Sequence, residues 1–462
     1  MVESVDALMG QLMKQNRVPR MPQSPSFFSS RTAIMLVIAN MVGTGVFTSL
    51  GFQLLDIQSP FVILLLWSVG ALVALCGALC YAELATALPR SGGEYHFLGR
   101  IYHPGAGFTS GWISVTVGFS APTAAAAITG ATYIQAVFPD LPATLLGCVV
   151  VVLIGGIHLR SRGGSGLFQQ IFTSAKIALI LCFMALAWGF TDSVQPVTWS
   201  PTASDLTLMS STGFAVGLIF VNYAYTGWNA ATYLSGELDN PSRSIPRILI
   251  VGTGVVALLY LALHITFLGL APMEEMAGKI EIGYVVANYA FGPLGAQATS
   301  LMLGFLLIST VSAMLLAGPR ALQVMGEDFK AFSWLGQTNA HDVPGNAILL
   351  QTGLTLVMIL TATFESIIVF SGAILAFNSL LTVIGLGVLR YREPDLVRPF
   401  RLPWYPLPML VFAGVISWTL FYLVQARPVE GLLALGLVVI GVLCYLLARR
   451  AGFEIAPINQ NP

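Results

Sequence analysis

The residues best suited to binding a small molecule lie inside apolar runs. Asn40-Met41-Val42-Gly43-Thr44-Gly45-Val46-Phe47 sets two glycines within three residues near the middle of one run. Each glycine disfavours helix propagation by about 1 kcal/mol relative to alanine. Farther along, Phe220-Val221-Asn222-Tyr223-Ala224-Tyr225-Thr226-Gly227-Trp228-Asn229 is aromatic and polar where a lipid-facing helix would be aliphatic. A helix interrupted at membrane depth must be buried in protein or line a cavity. Amides at the start of a half-helix suit an anionic group, and freed carbonyls suit a cation or an ammonium. A zwitterion carries both. Close packing at small residues is the competing reading of the glycines, and the pairing of two interruptions weighs against it.

One charge also sits inside an apolar run. Lys176 lies about 10 residues into its stretch, roughly 15 Å from the stretch's end at 1.5 Å per residue. Lysine there is costly, on the order of 3 kcal/mol, and such residues are usually functional. Other ionisable groups read as less specialised. Glu83, Glu94, Glu237 and Asp239 fall at helix ends, where salt bridges to nearby arginines are expected. His264 reads as a hydrogen-bonded packing residue. No histidine or cysteine spacing suits a metal, so neither metal nor cofactor is expected. Gly163-Gly164-Ser165-Gly166 reads as a turn, because neither a preceding strand nor a Lys-Ser/Thr follows the phosphate-loop pattern.

The elements that must position these groups follow from composition. Of 462 residues, 56% are hydrophobic and 9% charged, with no net charge. Soluble domains average about 25% charged residues, so a water-soluble globule is excluded, and nothing suggests a nucleic-acid partner. A spanning helix needs about 20 apolar residues. Reading between charges gives twelve stretches: 32–55, 57–82, 101–139, 141–159, 163–191, 206–236, 248–273, 282–319, 343–364, 366–389, 402–426 and 431–448. With an even number of spans and the N-terminus inside, 18 of 21 Lys and Arg residues become cytoplasmic, as expected for cytoplasmic loops. Only Lys279 and Arg427 fall outside, and Lys176 lies within a span. Both termini are therefore expected in the cytoplasm. Residues 1–30 read as a cytoplasmic tail rather than a signal peptide, and 451–462 as a second tail. The five cysteines, all in apolar runs, imply no disulfide framework.

Several ordered motifs resemble one family. Gly43-Thr44-Gly45-Val46-Phe47 is similar to the Gly-Ser/Thr-Gly-Ile/Val-Phe element of the amino acid–polyamine–organocation (APC) permeases. Tyr81-Ala82-Glu83-Leu84, Pro89-Arg90-Ser91-Gly92-Gly93-Glu94-Tyr95 and Phe108-Thr109-Ser110-Gly111-Trp112 resemble its second-span end, following loop and third-span start. Glu237-Leu238-Asp239-Asn240-Pro241 and Ser244-Ile245-Pro246-Arg247 resemble the loop after span six. Arg392-Glu393-Pro394-Asp395 and Arg398-Pro399-Phe400-Arg401-Leu402-Pro403 resemble the loop after span ten. Within the superfamily, Tyr225-Thr226-Gly227-Trp228-Asn229 is most similar to the L-type and related bacterial exchangers. Tyr223 departs from that branch, where many relatives carry a gating phenylalanine.

The resemblance implies an all-α membrane protein of twelve transmembrane helices with a LeuT-like five-plus-five inverted repeat. That core would run over 31–390, with the loop and two peripheral helices in 391–450. It implies that a substrate carboxylate sits at Gly43, Thr44 and Gly45. The ammonium would meet carbonyls near Met41, Tyr223, Ala224 and Thr226, beside Gly227. Sodium-independent relatives carry a lysine similar to Lys176 in place of an ion, which would tether the first span to the eighth near Ser309, Thr310 and Ser312. Proton coupling and a fixed strut in an exchanger both stay open for this lysine.

The function expected is alternating-access transport of small amino acids in the cell membrane, sodium-independent, as exchanger or proton symporter. No acidic residue falls in the predicted midplane of spans one, three, six, eight or ten, which favours a neutral substrate over a cationic amino acid or polyamine. A channel would need a continuous polar lining or charged rings. An enzyme would need a nucleophile–base pair or metal cluster. Neither pattern is present, and no accessory subunit is implied.

Overall fold

A computed structural model describes residues 29–450 apart from Ser91, 161–164, 192–193, Asp239 and Asp342. The expected tails, apart from Ser29 and Ser30, therefore lie outside the described residues, as do Arg162, Gly163 and Gly164. The described chain is all helical, with no strand. Helices α1 (Ser30–Met41) and α2 (Gly45–Gln53) are followed by α3 (Pro60–Ala87), α4 (Glu94–Ile101) and α5 (Pro104–Ile113). A π-helical turn over Ser114–Gly118 leads into α6 (Ser120–Gln135), then α7 (Ala143–His158) and α8 (Ser165–Phe190). Next come α9 (Ala203–Met209), α10 (Thr212–Tyr225), a 3₁₀ segment over Ala230–Glu237, α11 (Pro241–Leu270) and α12 (Met273–Met276). The chain ends with α13 (Ile282–Asp328), α14 (Ser333–Gly336), α15 (Gly345–Thr361), α16 (Phe364–Arg392), α17 (Leu407–Ala426) and α18 (Pro428–Arg450).

Local chemistry sets many of these ends. Ser29, Ser59, Ser211 and Thr363 accept a hydrogen bond from a first-turn amide, the standard N-cap arrangement. Prolines open α3, α5 and α11, where a missing N–H is harmless. Inside α13, Gly292 at φ 71° kinks the helix, with Pro293 following.

Among the described residues, nine helical segments are long and apolar enough to cross a membrane. The α9–α10 pair, bent by 66°, makes a tenth candidate. Each of the twelve stretches read from the sequence holds one of these or one of two shorter apolar helices, α7 and α15. Those have 16 and 17 residues. At 1.5 Å per residue they reach about 25 Å, short of a roughly 30 Å hydrocarbon core.

α1, α3, α10 and α11 share a core in which Trp67, Tyr225 and Tyr260 are fully buried. α17 and α18 sit at the edge. Only 28% and 11% of their apolar windows are covered by protein, so most of that surface is left for lipid.

Candidate functional site

The two interruptions read from the sequence are real breaks, and they touch. α1 stops at Met41, where the Val42 amide closes its last turn on Ile38. The Gly43 amide donates to the Met41 carbonyl at 2.8 Å, and α2 restarts at Gly45 with Thr44 as its cap residue. The first amides of α2 therefore have no carbonyl in their own helix. α10 stops at Tyr225, Gly227 follows at φ 106°, and the chain continues as a 3₁₀ turn. Contact between the breaks needs glycine on both sides. A Cβ on Gly45 would lie 2.6 Å from the Ala224 Cα and Cβ, and one on Gly227 would lie 2.9 Å from the Asn40 main chain.

A cavity of about 370 Å³ opens beside them, within the size range of small-ligand sites. All eight residues expected to meet substrate line it: Met41, Gly43, Thr44 and Gly45 from the first break, and Tyr223, Ala224, Thr226 and Gly227 from the second. The Tyr223 hydroxyl faces the Thr44 side chain. Not every expected acceptor is free, however. The Met41 carbonyl takes both the Gly43 amide and the Tyr260 hydroxyl, the latter at 2.6 Å. A carbonyl oxygen has two lone pairs, so Met41 has little left for an ammonium. Ala224 accepts the same Tyr260 hydroxyl at 3.0 Å and keeps one lone pair.

Lys176 is buried, and its ammonium donates to the Val42 carbonyl and to the Thr310 hydroxyl, each at 2.9 Å. It thus bridges the first break to α13. Ser309 and Ser312 do not take part. Ser309 donates back to Leu306 at 2.6 Å, and Ser312 pairs with His158 at 3.0 Å. Successive helix residues point about 100° apart, so only Thr310 of this group faces Lys176.

The cavity has unequal ends. On one side, Phe52 of α2 stacks on Phe220 of α10 at 5.5 Å and on Phe364 of α16 at 5.7 Å. Gln53, the next residue of α2, donates to the Gly217 carbonyl and accepts from Trp67, tying α2 to α10 and α3. On the other side the lining runs past Thr32 and Met35 toward Arg320 and Met325. Glu94 lines this end and is 3% exposed. The salt bridge expected of it is absent from the described contacts. Its carboxylate accepts from the Tyr81 hydroxyl at 2.9 Å, the Asn229 amide and the Tyr233 hydroxyl. Folding turns Glu94 inward because Gly92 and Gly93, at φ 131° and 56°, reverse the chain just before α4. Glu83 does find arginines. Fully buried, it pairs with Arg390 at 2.5 Å and Arg398 at 3.3 Å, and accepts the Leu402 amide.

Sequence reasoning missed Tyr260, Asn222 as a lining side chain, and the π turn at Ser114–Gly118 whose Ser114 and Gly118 reach the cavity. Tyr260 had a signal: its hydroxyl sits in an apolar run one turn from His264. His264 itself packs as expected, with Nδ1 2.8 Å from the Tyr260 carbonyl and its ring against Trp67. Among the described residues no cluster could hold a metal ion.

Residues 28–443 match the amino acid permease family. Mouse solute carrier family 7 member 12 is 26% identical over 427 residues, covering 89% of this chain and 90% of that protein. The human b(0,+)-type amino acid transporter 1 is 24% identical over 441 residues, covering 93% and 89%. The human large neutral amino acids transporter small subunit 2 is 25% identical over 435 residues, covering 90% and 79%. With so many apolar helices of membrane length, the protein is an integral, multi-pass membrane protein. The chain belongs to the amino acid permease family.

Proposed function

We propose that this protein is a sodium-independent secondary transporter of small neutral L-amino acids working by alternating access. The observation that carries the reading is the meeting of two broken helices at one cavity, with all eight expected residues on its wall. The α2 amides beyond Thr44 hold the substrate carboxylate, and carbonyls of α10 with a free lone pair, such as Ala224, hold the ammonium. Lys176 stands where a coupling cation would otherwise support the first break, so exchange or proton symport drives the cycle. The name of the large neutral amino acids transporter supports an uncharged substrate here.

The full proposal has twelve spans in a five-plus-five inverted repeat with two peripheral helices, both termini in the cytoplasm and the cell membrane as location. The open end of the cavity then faces inward, because Arg320 lies at that end and arginine marks the cytoplasmic side. Phe52, Phe220 and Phe364 close the outer end. A cationic substrate is the second reading, favoured by one observation: Glu94 is the only acidic side chain on the described lining. Its two oxygens already accept three donors, which keeps the neutral reading ahead.

Purified protein in proteoliposomes tests this directly. Uptake should be saturable, stereoselective for neutral L-amino acids and unchanged when sodium is replaced. A strict sodium requirement at fixed potential overturns the role of Lys176. Preference for lysine or arginine over every neutral amino acid overturns the substrate class.

A further inference from the structure

Four asparagines line the cavity, and their side chains are not in the same position. Asn40 donates to the Leu36 carbonyl at 2.9 Å, and Asn229 donates to Glu94. Both are committed within the protein. Asn222, near the end of α10, is different. Its main-chain carbonyl takes the Thr226 hydroxyl, but its side-chain nitrogen is buried without any hydrogen-bond partner. Asn378 of α16 adds a second carboxamide to the same wall.

A buried amide with no partner is destabilising. A wall shaped for a purely aliphatic side chain has no use for one. The group is also two-ended, donor on one side and acceptor on the other, and a half-turn about its last torsion exchanges them. Either a hydroxyl or a carboxamide on the substrate can therefore complete it. Position supports this. Asn222 lines the same cavity as Thr44 and Gly45 of the carboxylate-binding break, so its side chain borders the space a substrate held there would fill.

We propose that Asn222 reads the side chain of the transported amino acid, and that the substrates are small amino acids with an uncharged hydroxyl or carboxamide side chain. The inference rests on the transport reading and narrows it. A ligand that fills the cavity without pairing Asn222 leaves the amide stranded, which corresponds to roughly 10- to 100-fold weaker binding.

The test is competition for uptake, with binding to the purified full-length protein measured in parallel. Serine is set against alanine, threonine against valine, and asparagine against leucine. The polar member of each pair should win by about 10-fold or more, and Asn222→Leu should collapse or invert the ratios. Equal affinity within the wild-type pairs overturns the proposal without any variant. So do unchanged ratios in an Asn222→Leu protein that still transports. If no amino acid binds at all, the transport reading falls and takes this inference with it, whereas equal binding of both members sinks this inference alone.

Discussion

The two helix breaks face one cavity but are held open by different means. At the second break the backbone does the work. Gly227 sits at φ 106°, a conformation glycine adopts readily and that no helix continues through. The first break has no such residue. Val42 has φ −74° and ψ 81°, Thr44 has helical angles, and Gly43 is not among the positive-φ glycines. Left to itself, this stretch could wind back into helix with little strain. What holds it open comes from outside: Lys176 on the Val42 carbonyl and Tyr260 on the Met41 carbonyl. One break is written into its own chain, and the other is maintained by neighbours. The first break is thus the one a change in bonding can switch.

The largest expected effect comes from forcing the breaks apart. Gly45→Leu should abolish uptake, because its Cβ alone would meet Ala224 backbone at 2.6 Å and helices cannot yield that distance as a flexible side chain would. Normal uptake in this variant would remove the site from these two segments. Next is Lys176→Met, which keeps the length of the side chain and deletes its donors. With the Val42 carbonyl and Thr310 left unpaired, uptake should fall about 100-fold. The comparison is sharpened by amide hydrogen exchange. Thr44 to Val46 should become more protected as the first break rewinds, while exchange around Gly227 stays unchanged. Equal change at both breaks would erase the distinction.

Gly227→Ala should have a smaller effect, about 10-fold in uptake, because one positive-φ alanine costs on the order of 1–3 kcal/mol. The steric penalty against Asn40 adds to it. Here exchange at Val42–Val46 should not move. If Gly227→Ala protects those amides as Lys176→Met does, the second break is not self-supporting.

Much of this was legible in the sequence because the signals are local. Gly43 and Gly45 weaken a helix by their own backbone freedom, and a lone Lys176 in an apolar run must find partners. Span boundaries read from charges fall within three residues of both ends of α16, but α11 begins seven residues before its stretch and α13 runs nine beyond its own. What the sequence hid depends on the direction of side chains and on chain reversal. Ser309, Thr310 and Ser312 are interchangeable in composition, yet only Thr310 lies on the Lys176 face of α13. Glu94 reads as a helix-end partner for an arginine until Gly92 and Gly93 turn it inward. Tyr260 is one tyrosine among fourteen, and only the fold brings its hydroxyl to two carbonyls 219 and 36 positions away in sequence.

Tyr260 also supplies the finest test, since it serves both breaks with one hydroxyl. Tyr260→Phe removes that hydroxyl and keeps the ring, which packs edge-on to Trp67 at 5.5 Å and against Tyr225 at 5.1 Å. A single proton serves two acceptors, so the loss should be about 5-fold in uptake, near 1 kcal/mol. Double-mutant cycles then separate the breaks. Residues that support one element couple, and independent ones add. Tyr260→Phe should couple with Lys176→Met, because both hold the first break open. It should add to Gly227→Ala, because the glycine keeps its conformation without help. Coupling of equal size in both cycles would show that the two segments open as one unit, and the asymmetry between them would be lost.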